Sequence, residues 1–556
     1  MKRRIRILTA GALAVAVTAV FAAYGSASSL SRAHAAKSAS TVTLLMGSAP
    51  QSLDPQFDYT AQGAEDLWVS YIGLTTYKHA NGAAGSVVIP GLCTALPKVS
   101  NHGKTYSCTL RKGLTFSNGK PVVASDFAYS VERAIKMPWG GSGSFITPVI
   151  AGGTAFANGK SHSISGIKTN NKTGKITIHL VAPYGPFENV LAFPAMGIVY
   201  PPKAPFHNEP SSPPPGVGPY YATNIVPNAS FTAVPNPRWA SFHIAGIPAG
   251  KVRVQVKVNQ SNGAASALSV LNNSADFFDW ADTIPGALIP QIQARASSRY
   301  HLVDLGGSTY YIFMNSQEKP FSSQLAREAV VTALNEGAFN HIGSGTLKPG
   351  CFFLPRAIPG HPAGKCPYSN SSFSGNIAKA RKLVQQSGMA GTSVQVWGQT
   401  RSPRQPWMTY YTQVLNQIGF HATQKVLADA PYWTTIGNLS LHPQTGFADW
   451  NMDYPNPVDF YGVLLTKGAI LPANNQNFGE VQDPFVDSQV AHLQGSAATG
   501  SAVTKWQKID EYLAKKAYVA VFGYQTFPFF ASSRVNYKAI VISPEYGWDW
   551  TSFSLK

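Results

Sequence analysis

Two hydrophobic periods alternate along this chain, and the switching between them sets its architecture. Residues 41–46, Thr-Val-Thr-Leu-Leu-Met, read as a strand that stops at Gly47. Residues 61–72 place Leu67, Trp68, Tyr71 and Ile72 on one side of a helix. Residues 104–111 and 175–180 alternate as strands. Between them Ser125-Asp126-Phe127 opens a helix running to about Lys136, with Ser125 as its expected N-cap. The passage 201–219 carries Pro213-Pro214-Pro215 and must be irregular. Strands are expected at 230–234 and 251–258. Helical patterns then gather at 324–334, 376–387 and 408–418, with a strand at 394–397 between two of them. The aromatic, apolar section 517–530 is expected to return to a core sheet. Helices alternating with strands indicate α/β architecture.

The N-terminus does not belong to that pattern. Lys2, Arg3, Arg4 and Arg6 precede an uncharged, mostly apolar stretch from Ile7 to Ala23, and Ala33-His34-Ala35 supplies a cleavage site. Residues 1–35 are therefore expected to be a signal peptide, with the mature chain starting at Ala36. No cysteine lies near that site, the first being Cys93, so no lipid-anchor cysteine is available there. Beyond the leader no apolar run reaches the roughly 18 residues of a membrane span. The four cysteines form two pairs, Cys93/Cys108 and Cys351/Cys366. In an exported chain an even count suggests disulfides, and the two local pairings are expected.

With 556 residues the chain has room for two or three domains. Its formal charge of +18 falls to +13 without residues 1–35, which hold five basic residues and no acid. The basic residues are scattered singly, and an exported protein has little occasion to meet nucleic acid. The unusual quantity is the low acid count, which fits a surface adaptation or weak attraction to anionic envelope polymers. Catalytic signatures are missing: no G-x-S-x-G, H-E-x-x-H or C-x-x-C occurs. Gly159-Lys160-Ser161 resembles the end of a phosphate loop, but Thr154 stands where that loop needs its first glycine. No metal cluster or cofactor is implied.

Several segments, in order along the chain, resemble the family 5 extracellular solute-binding proteins of ABC importers, the oligopeptide, dipeptide and nickel-binding group. They are Ser52-Leu53-Asp54-Pro55, then Phe116-Ser117-Asn118-Gly119-Lys120-Pro121-Val122 running into Ala124-Ser125-Asp126-Phe127. Asn158-Gly159-Lys160, Ile164-Ser165-Gly166-Ile167 and Gly216-Val217-Gly218-Pro219-Tyr220 follow. Pro235-Asn236-Pro237-Arg238-Trp239 and the stretch from Arg327-Glu328-Ala329 to Ala333-Leu334-Asn335 complete the set. The resemblance implies a two-lobed, type II periplasmic-binding-protein-like fold with an additional inserted domain. The first lobe would comprise 36–82, 205–307 and 524–556, the insertion 83–204 and the second lobe 308–523. Hinge crossings would fall near Gly306-Gly307 and Gly523-Tyr524, where glycine absorbs backbone rotation.

The same resemblance implies a monomeric, extracytoplasmic protein that captures a peptide or peptide-like solute without catalysis and delivers it to membrane permease subunits. Trp450-Asn451-Met452-Asp453-Tyr454-Pro455-Asn456-Pro457 is similar to the family's ligand-facing loop, which gives Asp453 the ligand's α-ammonium group and Trp450 an apolar wall. Trp433 matches another aromatic pocket position, Gly47-Ser48-Ala49 would offer backbone hydrogen bonds to an extended peptide, and Tyr524 joins the ligand-facing set. Between Trp433 and Trp450 there is no Arg or Lys to meet a ligand carboxylate. That leaves an oligosaccharide or metal chelate as alternative ligands, and a secreted hydrolase with a dispersed triad as the alternative of a different class.

Overall fold

The computed structural model describes residues 41–137, 145–259, 262–429 and 431–556. The expected leader and the mature start at Ala36 lie outside the described residues. No helix among the described residues is long and apolar enough to cross a membrane.

Three sheets organise the chain. The first runs, in spatial order, Phe277–Phe278, Thr41–Met46, Arg253–Val258, Ser230–Pro235 and Tyr220–Val226. Thr41–Met46 pairs in parallel with both neighbours, so both of its faces must be covered. Its alternation sorts its side chains between two cores. Val42, Leu44 and Met46 enter the main core. Leu45 points the other way, into a second cluster with Val270, Leu271 and Ile292 of helices Gly263–Leu271 and Ile289–Ala296.

The second sheet is ordered Leu347–Lys348, Val519–Gln525, Ser308–Met314, Thr445–Asn451, Ser393–Gln399 and His421–Leu427. Ser308–Met314 and Val519–Gln525 are buried along their whole length. A third sheet, Lys98–Ser100, Thr105–Thr109, Lys175–His179 and Ile167–Asn170, falls in sequence between strands of the first. Tyr300–Val303 and Phe527–Phe530 form an antiparallel ribbon. Each leads into or out of the second sheet, so the chain passes there at residues 304–307 and returns at Thr526.

Most of the sequence motifs turn out to hold this framework together. Asp54 takes two hydrogen bonds from the Arg133 guanidinium, and both side chains are buried. Arg133 also donates to the Gln56 side chain and the Pro205 carbonyl, at 2.8 and 2.7 Å. Gly216 and Gly218 lie against the end of helix Ala61–Ser70, where a Cβ would strike the Tyr71 ring and the Val69 carbonyl. Asn236 donates to the Gly218 carbonyl at 2.9 Å and fixes that approach. Arg327 donates to the Phe321 and Lys516 carbonyls.

Two expected boundaries are corrected. The helix at 125 begins at Ala124, and Ser125 is not its cap. Asp126 accepts from the Val123 N–H instead, at 2.9 Å, while Ser125 pairs with Asn171. The helix expected at 408 starts at Arg404, because Pro406 falls in the first turn, where its missing N–H is not needed. Section 517–530 is two strands, split at Thr526, that belong to different sheets. Both local disulfides form, Cys93–Cys108 and Cys351–Cys366, each closing a loop worth roughly 3 kcal/mol.

Replacing Arg133 by Met should cost about 3–5 kcal/mol in urea unfolding, because Asp54 would be left as an unpaired buried charge. A loss no larger than the roughly 1 kcal/mol of a surface pair would show that this contact does not anchor the fold.

Candidate functional site

A cavity of about 1000 Å³ opens between the first and second sheets. Its position follows from strand direction. Thr41–Met46, Arg253–Val258 and Phe277–Phe278 run parallel, and residues at or just beyond their carboxyl ends, Gly47, Val258 and Trp280, line it. In the second sheet Ser393–Gln399 runs parallel to both of its neighbours, Thr445–Asn451 and His421–Leu427, and Arg401, Asp453 and Asp429 follow the carboxyl ends of the three strands. Open α/β sheets place ligands at such ends.

Asp453 stands half-buried in the cavity wall. Its carboxylate accepts from the Tyr59 hydroxyl, and its N–H donates to Asp459 at 2.9 Å. Asp459 is fully buried and also accepts from Trp450 Nε1 at 3.2 Å. This side-chain-to-backbone bracing fixes the loop that carries Asp453. Burial pushes the Asp453 carboxyl up to about 7, against the lowering effect of the Tyr59 hydrogen bond. Among the described residues no Lys, Arg or His forms an ion pair with it.

Gly47, Ser48, Ala49, Trp433 and Trp450 all line the same cavity. The Gly47 N–H, however, already donates to Asp279 at 3.0 Å, so it is not on offer to a ligand. Ser48 Oγ donates to Asp429 across the cavity. Trp433 stacks on Phe478 with the Arg404 guanidinium over its ring at 5.5 Å. Trp450 meets Tyr59 edge-on at 6.1 Å. Tyr524 does not belong to the lining. It is buried beneath Gly350 and donates to the Phe352 carbonyl at 2.9 Å, because it belongs to Val519–Gln525, a strand buried along its whole length in the second sheet.

The basic groups missing from the 433–450 stretch come from another strand. Arg401 and Arg404 enter the cavity just after Ser393–Gln399. Arg404 is committed, with Asp449 at 2.7 Å and the Phe447 ring beneath it at 4.7 Å. Arg401 is less fully engaged: it donates to the Ala281 carbonyl at 2.6 Å and lies 4.0 Å from Asp282. The sequence signal was available, since an arginine beyond the carboxyl end of a parallel strand stands where ligands bind. Tyr59 gave no such signal, because only folding brings it to Asp453.

Comparison with known proteins decides the family. Residues 87–471 match the bacterial extracellular solute-binding proteins, family 5 Middle. The chain belongs to that family. It is 24% identical over 458 residues to the probable D,D-dipeptide-binding periplasmic protein DdpA of Escherichia coli (strain K12), covering 81% of this chain and 82% of that one. It is 26% identical over 418 residues to the glutathione-binding protein GsiB of Salmonella choleraesuis (strain SC-B67), covering 72% of each. Its fold matches that of the clavulanic acid biosynthesis oligopeptide binding protein 2, with a TM-score of 0.79 and 19% identity over 93% of this chain and 95% of that one. The murein tripeptide binding protein MppA of Escherichia coli gives 0.78 and 18%, over 93% and 98%. The fold is thus the two-lobed, type II solute-binding fold, and the cavity between the two sheets is its interlobe cleft.

Burial also pushes Asp58, Asp66 and Glu545 up to about 7, and Asp282 up to about 6. Each of these carboxyls holds its proton more tightly folded than unfolded, where carboxyls titrate near about 4. Unfolding therefore releases protons between those values, and this stabilisation is lost as pH rises toward 7. The empty protein should melt at a higher temperature at pH 5 than at pH 7. A melting temperature that rises from pH 5 to pH 7 would mean that these carboxyls are ionised in the folded chain.

Proposed function

We propose that this solute-binding protein captures a short peptide by closing its lobes, without covalent chemistry, and delivers it as a monomer to the permease of an ABC importer. The observation that carries the reading is Asp453: a carboxylate in the wall of a large cleft that has a hydroxyl donor and, among the described residues, no cation paired with it. A buried carboxylate in that state is poised for an ammonium group, which would supply the missing charge-assisted bonds. Arg401 is the group in the cleft best placed to receive the peptide's carboxylate, in a role the 433–450 stretch cannot fill. Trp433 and Trp450 would flank the chain between the two ends. The cleft volume sits at the upper end of small-molecule sites, and the relatives named for binding a D,D-dipeptide, a murein tripeptide and glutathione agree in ligand class.

In this reading the first lobe comprises residues 36–82, 205–307 and 526–556, with 83–204 inserted and 308–525 as the second lobe; the return crossing falls at Thr526 rather than at Gly523-Tyr524, because Val519–Gln525 stays in the second sheet throughout. Contacts that cross the cleft are the closure contacts: Tyr59 to Asp453, Ser48 to Asp429, Arg401 to Ala281, and the 3.1 Å pairing of the Tyr184 and Tyr454 hydroxyls.

Short unblocked peptides should raise the melting temperature, since a ligand that binds only the folded state stabilises it. N-acetylation should abolish the shift, and Asp453→Asn should weaken binding by about 2–5 kcal/mol. C-terminal amidation should matter to the wild type and not to Arg401→Gln. An acetylated peptide that binds as well as the free one would sink the ammonium role, and turnover of any peptide would revive a hydrolase.

The pH dependence has a defined sign. Binding of an ammonium needs the ionised carboxylate, so affinity should fall below about pH 7 as Asp453 takes up its proton. It should fall again above roughly pH 8, where the peptide's α-ammonium loses its own. Calorimetric titration across that range checks both limbs.

A further inference from the structure

The acids and bases of this protein are sorted between inside and outside. Fourteen of the 26 acidic residues are buried. The buried basic residues, among those described, are Arg133, Arg327, Arg401 and Arg404. The accessible surface is consequently more basic than the composition indicates. The imbalance is steepest in residues 83–204, which hold twelve lysines and arginines against Asp126, Glu132 and Glu188.

The third sheet concentrates this charge on one face. Its apolar positions, Tyr106, Ile167, Ile176 and Ile178, are buried in the core that Phe127 and Val131 of helix Ala124–Lys136 share. Period two puts the remaining positions on the opposite face. One cross-strand row there reads Lys98, Ser107, Thr177, Lys168. The next reads Thr109, Lys175, Asn170, and the row on the other side adds a serine, a threonine and a histidine. The face presents no carboxylate and no apolar side chain. Lys98, Lys168 and Lys175 are exposed, and among the described residues none of them forms an ion pair. None of the three lines the interlobe cleft.

We propose that this sheet face docks an anionic polymer of the cell envelope, a chain of phosphodiester-linked polyols, and so holds the protein outside the membrane while the cleft stays free. Lys98 and Lys168 stand three strand spacings apart, about 14 Å. A single small anion cannot reach both, whereas a chain of anions can lie across them. Lysine meets phosphate as a point charge, without the planar two-pronged geometry that arginine brings to carboxylates. The hydroxyls between the lysines are donors of the kind that bind phosphate oxygens. The face has no apolar residue to enter a lipid surface and no Phe, Tyr or Trp ring on which a base could stack.

The test uses the full mature chain and immobilised poly(glycerol phosphate). The wild type should bind, with an affinity that falls steeply with salt. Lys98→Gln, Lys168→Gln and Lys175→Gln together should weaken binding about tenfold near physiological salt and lower the log–log salt slope by about 2, as expected for three lost contacts on a flexible polyanion. Lys379→Gln, Lys382→Gln and Lys508→Gln, an equal charge change on exposed residues of the second lobe, should leave binding within about twofold, as distant charges are screened. Melting temperatures of both triples confirm that each is folded. Equal loss in the two triples would reduce the effect to net charge and overturn the site. So would a wild type that ignores the polymer, or one that binds vesicles of equal parts phosphatidylcholine and phosphatidylglycerol in its place.

Discussion

Neither a guanidinium nor a carboxylate can be left alone in a dry interior, and Arg133 and Asp54 meet that constraint together. Arg133 rides on a helix of the inserted segment; Asp54 sits in the loop that follows the first strand; and Pro205, whose carbonyl takes a third hydrogen bond, lies where the chain returns toward the first sheet. One side chain thus ties three separated stretches of chain. The loop it fixes carries Ser48 at its start and Tyr59 at its end, and both reach across the cleft to carboxylates of the second lobe. Register at the site therefore depends on a contact made well behind it.

The cleft itself is a desolvation device. Its walls carry several carboxyls, and burial favours their neutral forms while the cleft is empty. Under the proposed function an incoming cation would change that balance at Asp453, where the lowering effect is supplied by a single tyrosine. The arginines are placed differently. Arg404 is locked by a carboxylate and an aromatic bed, while Arg401 is held by a carbonyl of the opposite lobe. In the proposed reading, closure and ligand recognition draw on the same few polar groups, which would couple occupancy to lobe position.

Much of the fold was legible in the sequence, because period and turn chemistry are local. Strands such as Thr41–Met46 and Arg253–Val258, and helices such as Gln324–Ala333, lie where alternation and helical spacing put them. The boundaries that moved did so for local reasons too, at Asp126 and at Pro406. The family motifs were legible as a series, yet most proved to be framework: Asp54 pairs with Arg133, Gly216 and Gly218 admit a helix end, and Asn236 ties that turn. Ordered motifs reported the fold more faithfully than the ligand. The sequence also left long helices unread, among them Ser501–Lys516, whose buried Trp506, Ile509 and Leu513 are diluted by six charged residues.

By itself, then, the chain determined its α/β alternation, its local disulfides and the loop that bears Asp453, since each depends on neighbours within a few residues or on redox compartment. Only the tertiary structure decided what faces what. It brought Tyr59 to Asp453 across 394 positions, set Arg401 in the cleft that the 433–450 stretch leaves without a base, and turned Tyr524 away from the cleft. It also put acids inside and lysines on one open sheet face. Composition fixes how many charges a chain carries, but their effect depends on burial and distance, and those exist only once the strands have been set side by side.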